Sequence, residues 1–565
     1  MLLYGGRAIS LLLLLRESRD CNPALVDSII IFPDIIQTMG ISNQDANRQI
    51  AKAAGTIMAA FILSNLIGLL RQVLVSRAFG TGTEMDAFNA ASTFPDLIFN
   101  LIAGGALASA FIPTFTSYLA KGDRNSSWQL ASAISNLVIL LLTLVSLGAA
   151  LLAPQIVRYI LAPNFEPAQQ ALTASLLRIL LIAPTIFGIS GLFMSILNTY
   201  QVFLWPALAP SMYWLGMIFG VLFLVPLMGI NGLAWGAVIG AILHCSVQIP
   251  SVVRLPERRY FFSLGLRIPA VYEVARLMGP RLLGVAVVQI NFVVNTILAS
   301  GQSEGSLTAI KIAWAVMTMP QVVIAQAIAI AALPTFSAQV ARGEVQEMRT
   351  SLAATLRGII LLSLPASLGL ILLRRPVVGL LFQHGAFDSH STEMVAWALL
   401  WYAAGLVGHS IVEVVSRAFY ALHDTKTPVF IGTAAMSLNV IFSVVFSRLF
   451  VQVGWPPHGG LALSNSLATA LEMIGLLIIM RRRLNGLDGK NIMAGSVQSG
   501  IATLFMSLGI WGWLIVTIQQ PIWLVLVIGV ILGGIIYAIV VWGLGVKEGC
   551  ELINYLFYRQ KNHII

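Results

Sequence analysis

Apolar residues along this chain come in long continuous runs, and the polar residues collect in the gaps between them. A helix needs roughly 20 apolar residues to cross a hydrocarbon core of about 30 Å. Runs of that length can be read at 54–78, 88–118, 129–153, 170–197, 203–226, 229–250 and 271–300. Seven more follow at 306–338, 350–373, 391–421, 428–450, 459–480, 495–518 and 522–545. The pattern predicts an all-α polytopic membrane protein with about 14 transmembrane helices. Proline and glycine inside several runs blur their ends.

The polar punctuation repeats. "ALASAFIPTFTSYLAKGD" (106–123) is echoed by "AIAIAALPTFSAQVARGE" (327–344), and "SLGAALLAPQIV" (146–157) by "SLGLILLRRPVV" (367–378), both at an offset of 221 residues. "YQVFLWPAL" (200–208) aligns loosely with "LHDTKTPVF" (422–430). Helices 1–6 and 7–12 therefore read as a duplicated bundle. Six helices per copy make the repeat parallel, as in transporters that bind at the midplane between two lobes. The division that follows is a 1–53 N-terminal extension, an N-lobe at 54–250, a linker at 251–270 and a C-lobe at 271–480. A loop at 481–494, helices 13 and 14 at 495–545 and a tail at 546–565 complete it. "MGISNQDANRQIAKAAG" from Met39 reads as a natural start, so residues 1–38 are expected to be an upstream extension or a misassigned start.

Composition agrees with the runs: of 565 residues 58% are hydrophobic and 10% charged, and the mean hydropathy is +0.87. With the N-terminus inside, 21 Lys and Arg fall in inner segments, while the outer ones carry Arg158, Arg374, Arg375 and Arg448. The positive-inside rule then puts both termini in the cytoplasm. That bias accounts for most of the net charge of +10, and a nucleic-acid partner is not implied. Cys21, Cys245 and Cys550 are scattered without metal or disulfide spacing. No nucleotide loop, zinc motif or nucleophile elbow appears, so no enzymatic activity, metal or cofactor is expected.

An ionisable residue inside a span marks a wet cavity or a buried partner. Ser64, Gly68 and Arg71 share one face of helix 1. Arg71 is a candidate for gripping an anion through two donors, the alternative being an internal salt bridge with Asp86. Arg281 follows a Gly-Pro step in helix 7, and Lys311 lies about one turn into helix 8. Glu413 and Arg417 are four apart in helix 10 and read as an intrahelical pair. Asn291, Asn295 and Asn439 offer oxygens to a small cation, or hydrogen bonds between helices.

"SNLIGLLRQVLVSRAFGTGTEMDAF" (64–88), "GALASAFIPTF" (105–115), "MGPRLLGVAVVQINFVVNTILAS" (278–300), "LFQHGAF" (381–387) and "AFYALHDTKTPV" (418–429) together resemble the MurJ (MviN) family of lipid II flippases. That family lies within the multidrug/oligosaccharidyl-lipid/polysaccharide exporter superfamily. The resemblance implies transfer of an undecaprenyl-diphosphate-linked disaccharide-pentapeptide from inner to outer leaflet of a bacterial inner membrane by alternating access, for cell wall biogenesis. It also implies a lipid-tail groove at helices 13 and 14, and membrane lipids and cell wall synthesis machinery as partners. Ser64, Gly68, Arg71 and Asp86 match the family's pattern, with Asp86 placed to latch the lobes. Asn65 stands where the family has a second arginine, and Phe99, Ala315 and Thr318 replace other charged positions. A reduced diphosphate site of Arg71, Arg281 and Lys311 is the resulting expectation, with Ser64, Asn65 and Gly68 on the helix 1 cavity face. Export of another polyprenyl-diphosphate-linked oligosaccharide, or a scaffold that has lost its site, are the other readings. Sodium, a proton or the membrane potential would each supply the drive, at about 2.3 kcal/mol per charge per 100 mV.

Overall fold

The computed structural model describes residues 43–102, 106–256 and 258–546. Cys21, Cys550 and the expected extension 1–38 lie outside the described residues. The first half of the chain forms α1 (Asn43–Phe79), α2 (Thr83–Ile102), α3 (Ala106–Ala120), α4 (Arg124–Leu151), α5 (Pro167–Leu180), α6 (Ala183–Thr199), α7 (Leu204–Phe219) and α8 (Ile230–Ser246). The second half forms α9 (Pro269–Ser300), α10 (Ser306–Gln321), α11 (Ala327–Ala341), α12 (Val345–Phe382), α13 (Ser389–Ala404), α14 (Leu406–Ala421), α15 (Lys426–Val453) and α16 (His458–Arg483). Two further helices, α17 (Gly489–Val516) and α18 (Ile522–Gly543), follow the repeat.

The duplication is visible in the elements themselves. α3 and α11 begin at 106 and 327 and end at 120 and 341, so both ends are 221 residues apart, and α4 and α12 begin at 124 and 345. Pro113 and Pro334 sit inside the matching helices without ending them. Each lacks an N–H, so the carbonyl one turn back loses its helical partner at the same point in both copies.

Among the described residues eleven helices are long and apolar enough to cross a membrane, and α13 with α14, bent by 45°, makes a twelfth. The expected runs 88–118 and 271–300 are helical as α2 with α3 and as α9, but some residues or side chains of each lie outside those described. Among the described residues the spans therefore number eleven or twelve, short of the expected 14. The run 391–421 was expected to be one helix and is bent at Gly405, where a Cβ would lie 2.5 Å from Ser466 Oγ of α16. The bend is set by tight packing on a neighbouring helix.

Contacts divide the chain into two compact units. Among the described residues, one comprises 43–74, 94–102, 106–153, 175–256 and 258–285; the other comprises 75–93, 154–174 and 286–546. This division differs from the two sequence halves, because 75–93 and 154–174 cluster with the second half. Inside the first unit, α7 and α8 meet along glycines: a Cβ on Gly216 would lie 2.2 Å from Gly240 Cα, and one on Gly220 would lie 2.6 Å from Gly236 Cα. Close backbone approach of this kind lets dispersion hold helices together in lipid, where no hydrophobic drive exists between them. Inside the second unit, α17 packs on both α12 and α18, around Leu373, Met506 and Ile510.

Candidate functional site

The glycine seam fixes α7, and α7 in turn presents Trp214 to α1. A Cβ on Gly68 would lie 3.3 Å from Trp214 Nε1, so glycine is what admits the indole. One turn on, the Arg71 guanidinium lies over that ring, with Cζ 4.6 Å from the centroid. Its Nη1 donates to Gln72 Oε1 at 3.0 Å, and its Nε is buried with no hydrogen-bond partner. Tyr213 and Asp96 are close enough to act on it electrostatically. Ser64 is buried on the same face. Asn65 is exposed and turns its amide back to Phe61 O at 2.8 Å, so it serves its own helix. The result is a planar cation near the middle of the Ala60–Phe79 span of α1, positioned by an aromatic face and with its Nε unpaired. Such a group binds oxyanions through parallel N–H bonds.

Asp86 belongs to the second compact unit. Helix α10 starts after Gly305, a residue in the left-handed region with no side chain to cap the exposed amides. Asp86 of α2 supplies the cap from outside: its carboxylate accepts from Gly305 N at 2.8 Å, Thr308 N at 2.8 Å and Thr308 Oγ1 at 2.6 Å. The negative charge also sits at the positive end of the α10 dipole. Glu304 returns the arrangement, accepting from Thr83 N at 2.8 Å at the start of α2. Asn89 Nδ2 donates to Thr308 Oγ1 at 3.0 Å, and Thr93 meets Thr296 at 3.2 Å. Asp86, Asn89 and Thr93 lie three and four apart, so one polar face of α2 supplies the centre of the seam.

Most of these partners are separated by about one repeat length, 219 to 222 residues. Helix α2 thus docks on its own repeat equivalent. The seam closes further where Ala386 N donates to Arg77 O at 2.9 Å and Thr81 Oγ1 to Ser391 Oγ at 2.9 Å. Gly305 has φ +83°, and a Cβ there would lie 2.2 Å from Thr81 O. Gly305→Ala is expected to lower stability by about 2 kcal/mol or more, read as a depressed melting temperature in detergent.

Lys311, expected as a diphosphate ligand, bonds to polar groups of α2. Its Nζ donates to Asn89 O at 2.7 Å and Ser92 Oγ at 3.2 Å, which makes it part of the Asp86 seam. Arg71 and Lys311 fall in different compact units. The side chain of Arg281 lies outside the described residues. The Asp86 oxygens are taken up by α10.

Asn291, Asn295 and Asn439 do come together. Asn291 Oδ1 accepts from Asn295 Nδ2 at 3.2 Å and from Asn439 Nδ2 at 3.1 Å, and Ser443 Oγ donates to Asn295 Oδ1 at 3.3 Å. Those oxygens are engaged by amide and hydroxyl donors, which is the helix-to-helix use of asparagine. Asn439→Leu should cost about 1 kcal/mol of thermal stability. Glu413 and Arg417 form the expected pair at 2.8 Å.

Trp214, Gly305, Asn89 and Thr308 were not singled out from the sequence. Thr308 and Asn89 carried a signal, as polar residues in apolar runs close to Lys311 and Asp86. Trp214 carried none, since tryptophan is common in membrane helices.

A duplicated all-helical bundle with a half-buried cation and a polar seam between repeat-equivalent helices defines a multi-pass membrane transporter, not an enzyme. A family model described as "Lipid II flippase MurJ" matches residues 75–532. The chain belongs to that family. It is 30% identical over 439 residues to the lipid II flippase MurJ of Burkholderia cenocepacia, covering 76% of this chain and 84% of the relative. It is 27% identical to a probable lipid II flippase MurJ of Vibrio cholerae, covering 80% and 89%. A solved lipid II flippase MurJ in an inward closed conformation superposes with a TM-score of 0.74 at 25% identity, over 86% of this chain and 97% of that one. An inward-facing multidrug MATE transporter shares the fold, with a TM-score of 0.62 at 17% identity over 77% and 99%.

Proposed function

We propose that this chain flips lipid II from the inner to the outer leaflet of a bacterial inner membrane, with both termini in the cytoplasm. The observation that carries this reading is Arg71: a guanidinium at mid-span, stacked on Trp214, with a buried donor left over. A diphosphate supplies the paired oxygens such a group binds. The charge is fixed before substrate arrives, so little reorganisation is needed on binding.

Asp86 and Lys311 have a separate role in this reading. The α2–α10 seam is the outer latch, closed while substrate is taken up and opened for release. Lys311 reinforces the latch and does not ligate the diphosphate, which leaves Arg71 as the principal cation of the site. The lobes at 54–250 and 271–480 alternate about the latch, with helices at 495–545 serving the lipid tail.

Binding of lipid II to the purified protein, followed by native mass spectrometry, tests the site. Adducts are expected with wild-type protein and with Lys311→Met, and are expected to be lost with Arg71→Ala. Equal binding by all three proteins would refute the assignment of Arg71.

A further inference from the structure

The three arginines that end α16 are used unequally. Arg483 Nη2 pairs with Asp424 Oδ2 at 3.1 Å. Arg481 and Arg482 are exposed and line an open cavity of ≈ 430 Å³ with Ile478, Asn485 and Gly486. A third guanidinium comes from α12. Arg349 lies against Gly486, where a Cβ would be 3.1 Å from its Cζ, and Nη1 reaches Asn485 O at 3.5 Å. The Arg349 Nε is buried with no hydrogen-bond partner. Gly486 has φ +128° and Asn485 φ +51°, so the turn after α16 holds a shape that lines the cavity on one side and contacts Arg349 on the other.

The apolar side of the cavity continues along α16. Leu467, Leu471, Ile474 and Ile478 are exposed at four-, three- and four-residue steps, a single stripe that ends at Arg481 and Arg482. A lipid chain can lie along the stripe with its headgroup at the arginines. We propose that Arg349, Arg481 and Arg482 form a binding site for the phosphate of a membrane lipid headgroup, distinct from the Arg71 site. The guanidinium forks of Arg481 and Arg482 suit a phosphate, and Arg349, beside Gly486 with its Nε unpaired, adds positive charge next to the cavity. A cluster serving only topology would need neither the cavity nor a contribution from α12.

Two lipids present this chemistry: an anionic phospholipid and the diphosphate of lipid II. Native mass spectrometry of the full chain, titrated separately with phosphatidylglycerol and lipid II, distinguishes them. Arg481→Gln with Arg482→Gln is expected to weaken one of the two adducts by roughly tenfold. Arg254→Gln with Arg258→Gln, which removes the same charge elsewhere, is expected to leave both adducts unchanged. Loss of the phosphatidylglycerol adduct identifies a bulk lipid site, and loss of the lipid II adduct identifies a substrate site. Arg349→Lys keeps the charge without the fork and is expected to give a smaller loss of the same adduct. Unchanged binding of both lipids, or equal losses in the two double variants, would overturn the proposal. Failure of Arg71→Ala to affect lipid II leaves this outcome independent, because the two sites share no residue.

Discussion

Asp86→Ala is expected to abolish function in cells. The carboxylate is 2% exposed and accepts three hydrogen bonds from the start of α10. Truncation leaves the Gly305 and Thr308 amides buried and unpaired, a loss of about 3–5 kcal/mol by analogy with buried charged partners. That is enough to move a two-state latch from mostly closed to mostly open, since about 5.5 kcal/mol spans 1:99 to 99:1. Asp86→Asn keeps one acceptor and should fall between. An Ala87→Cys reporter checks the cause, because Ala87 is fully buried beside Asp86. A membrane-impermeant maleimide applied from outside should label it roughly tenfold faster in the Asp86→Ala background. Unchanged labelling with unchanged rescue would remove Asp86 from the latch.

Arg71→Ala is expected to have a comparable effect by a different route, and Arg71→Lys to be poorly tolerated. An ammonium carries the same charge but has no planar fork, and it stacks less well on Trp214. Lipid II binding should fall by roughly 100-fold in the alanine variant and about tenfold in the lysine variant, as expected for loss of two or of one charge-assisted bonds. Neither should disturb the Asp86 seam, so Ala87→Cys labelling stays at its wild-type rate. Trp214→Phe should retain much of the binding, because the ring face remains. A lysine variant indistinguishable from wild type would mean that charge alone suffices.

The repeat was legible because proline and basic-small-acidic endings mark the same points in both copies, and α3 and α11 then proved equal in length. The Ser64–Gly68–Arg71 face was legible because helical spacing alone decides it. The indole that makes that face a site was not, since Trp214 lies 143 residues away and nothing local marks it. Lys311, one turn into an apolar helix, read equally well as a cavity or a headgroup cation; its bonds to Asn89 and Ser92 come from the repeat-equivalent helix, which nothing local marks. The Asn291, Asn295 and Asn439 cluster was foreseen as a group, but sequence could not tell a cation shell from amides bonding one another. The bend at Gly405 is likewise tertiary, fixed by Ser466.

Both largest predictions rest on one claim, that this chain moves lipid II across the membrane. Expression in bacteria depleted of their own lipid II flippase tests it most directly. Wild-type protein is predicted to restore growth and cell shape, while Asp86→Ala and Arg71→Ala, present in the membrane at equal levels, are predicted not to. Failure of the wild-type protein to restore growth despite membrane insertion would contradict the account.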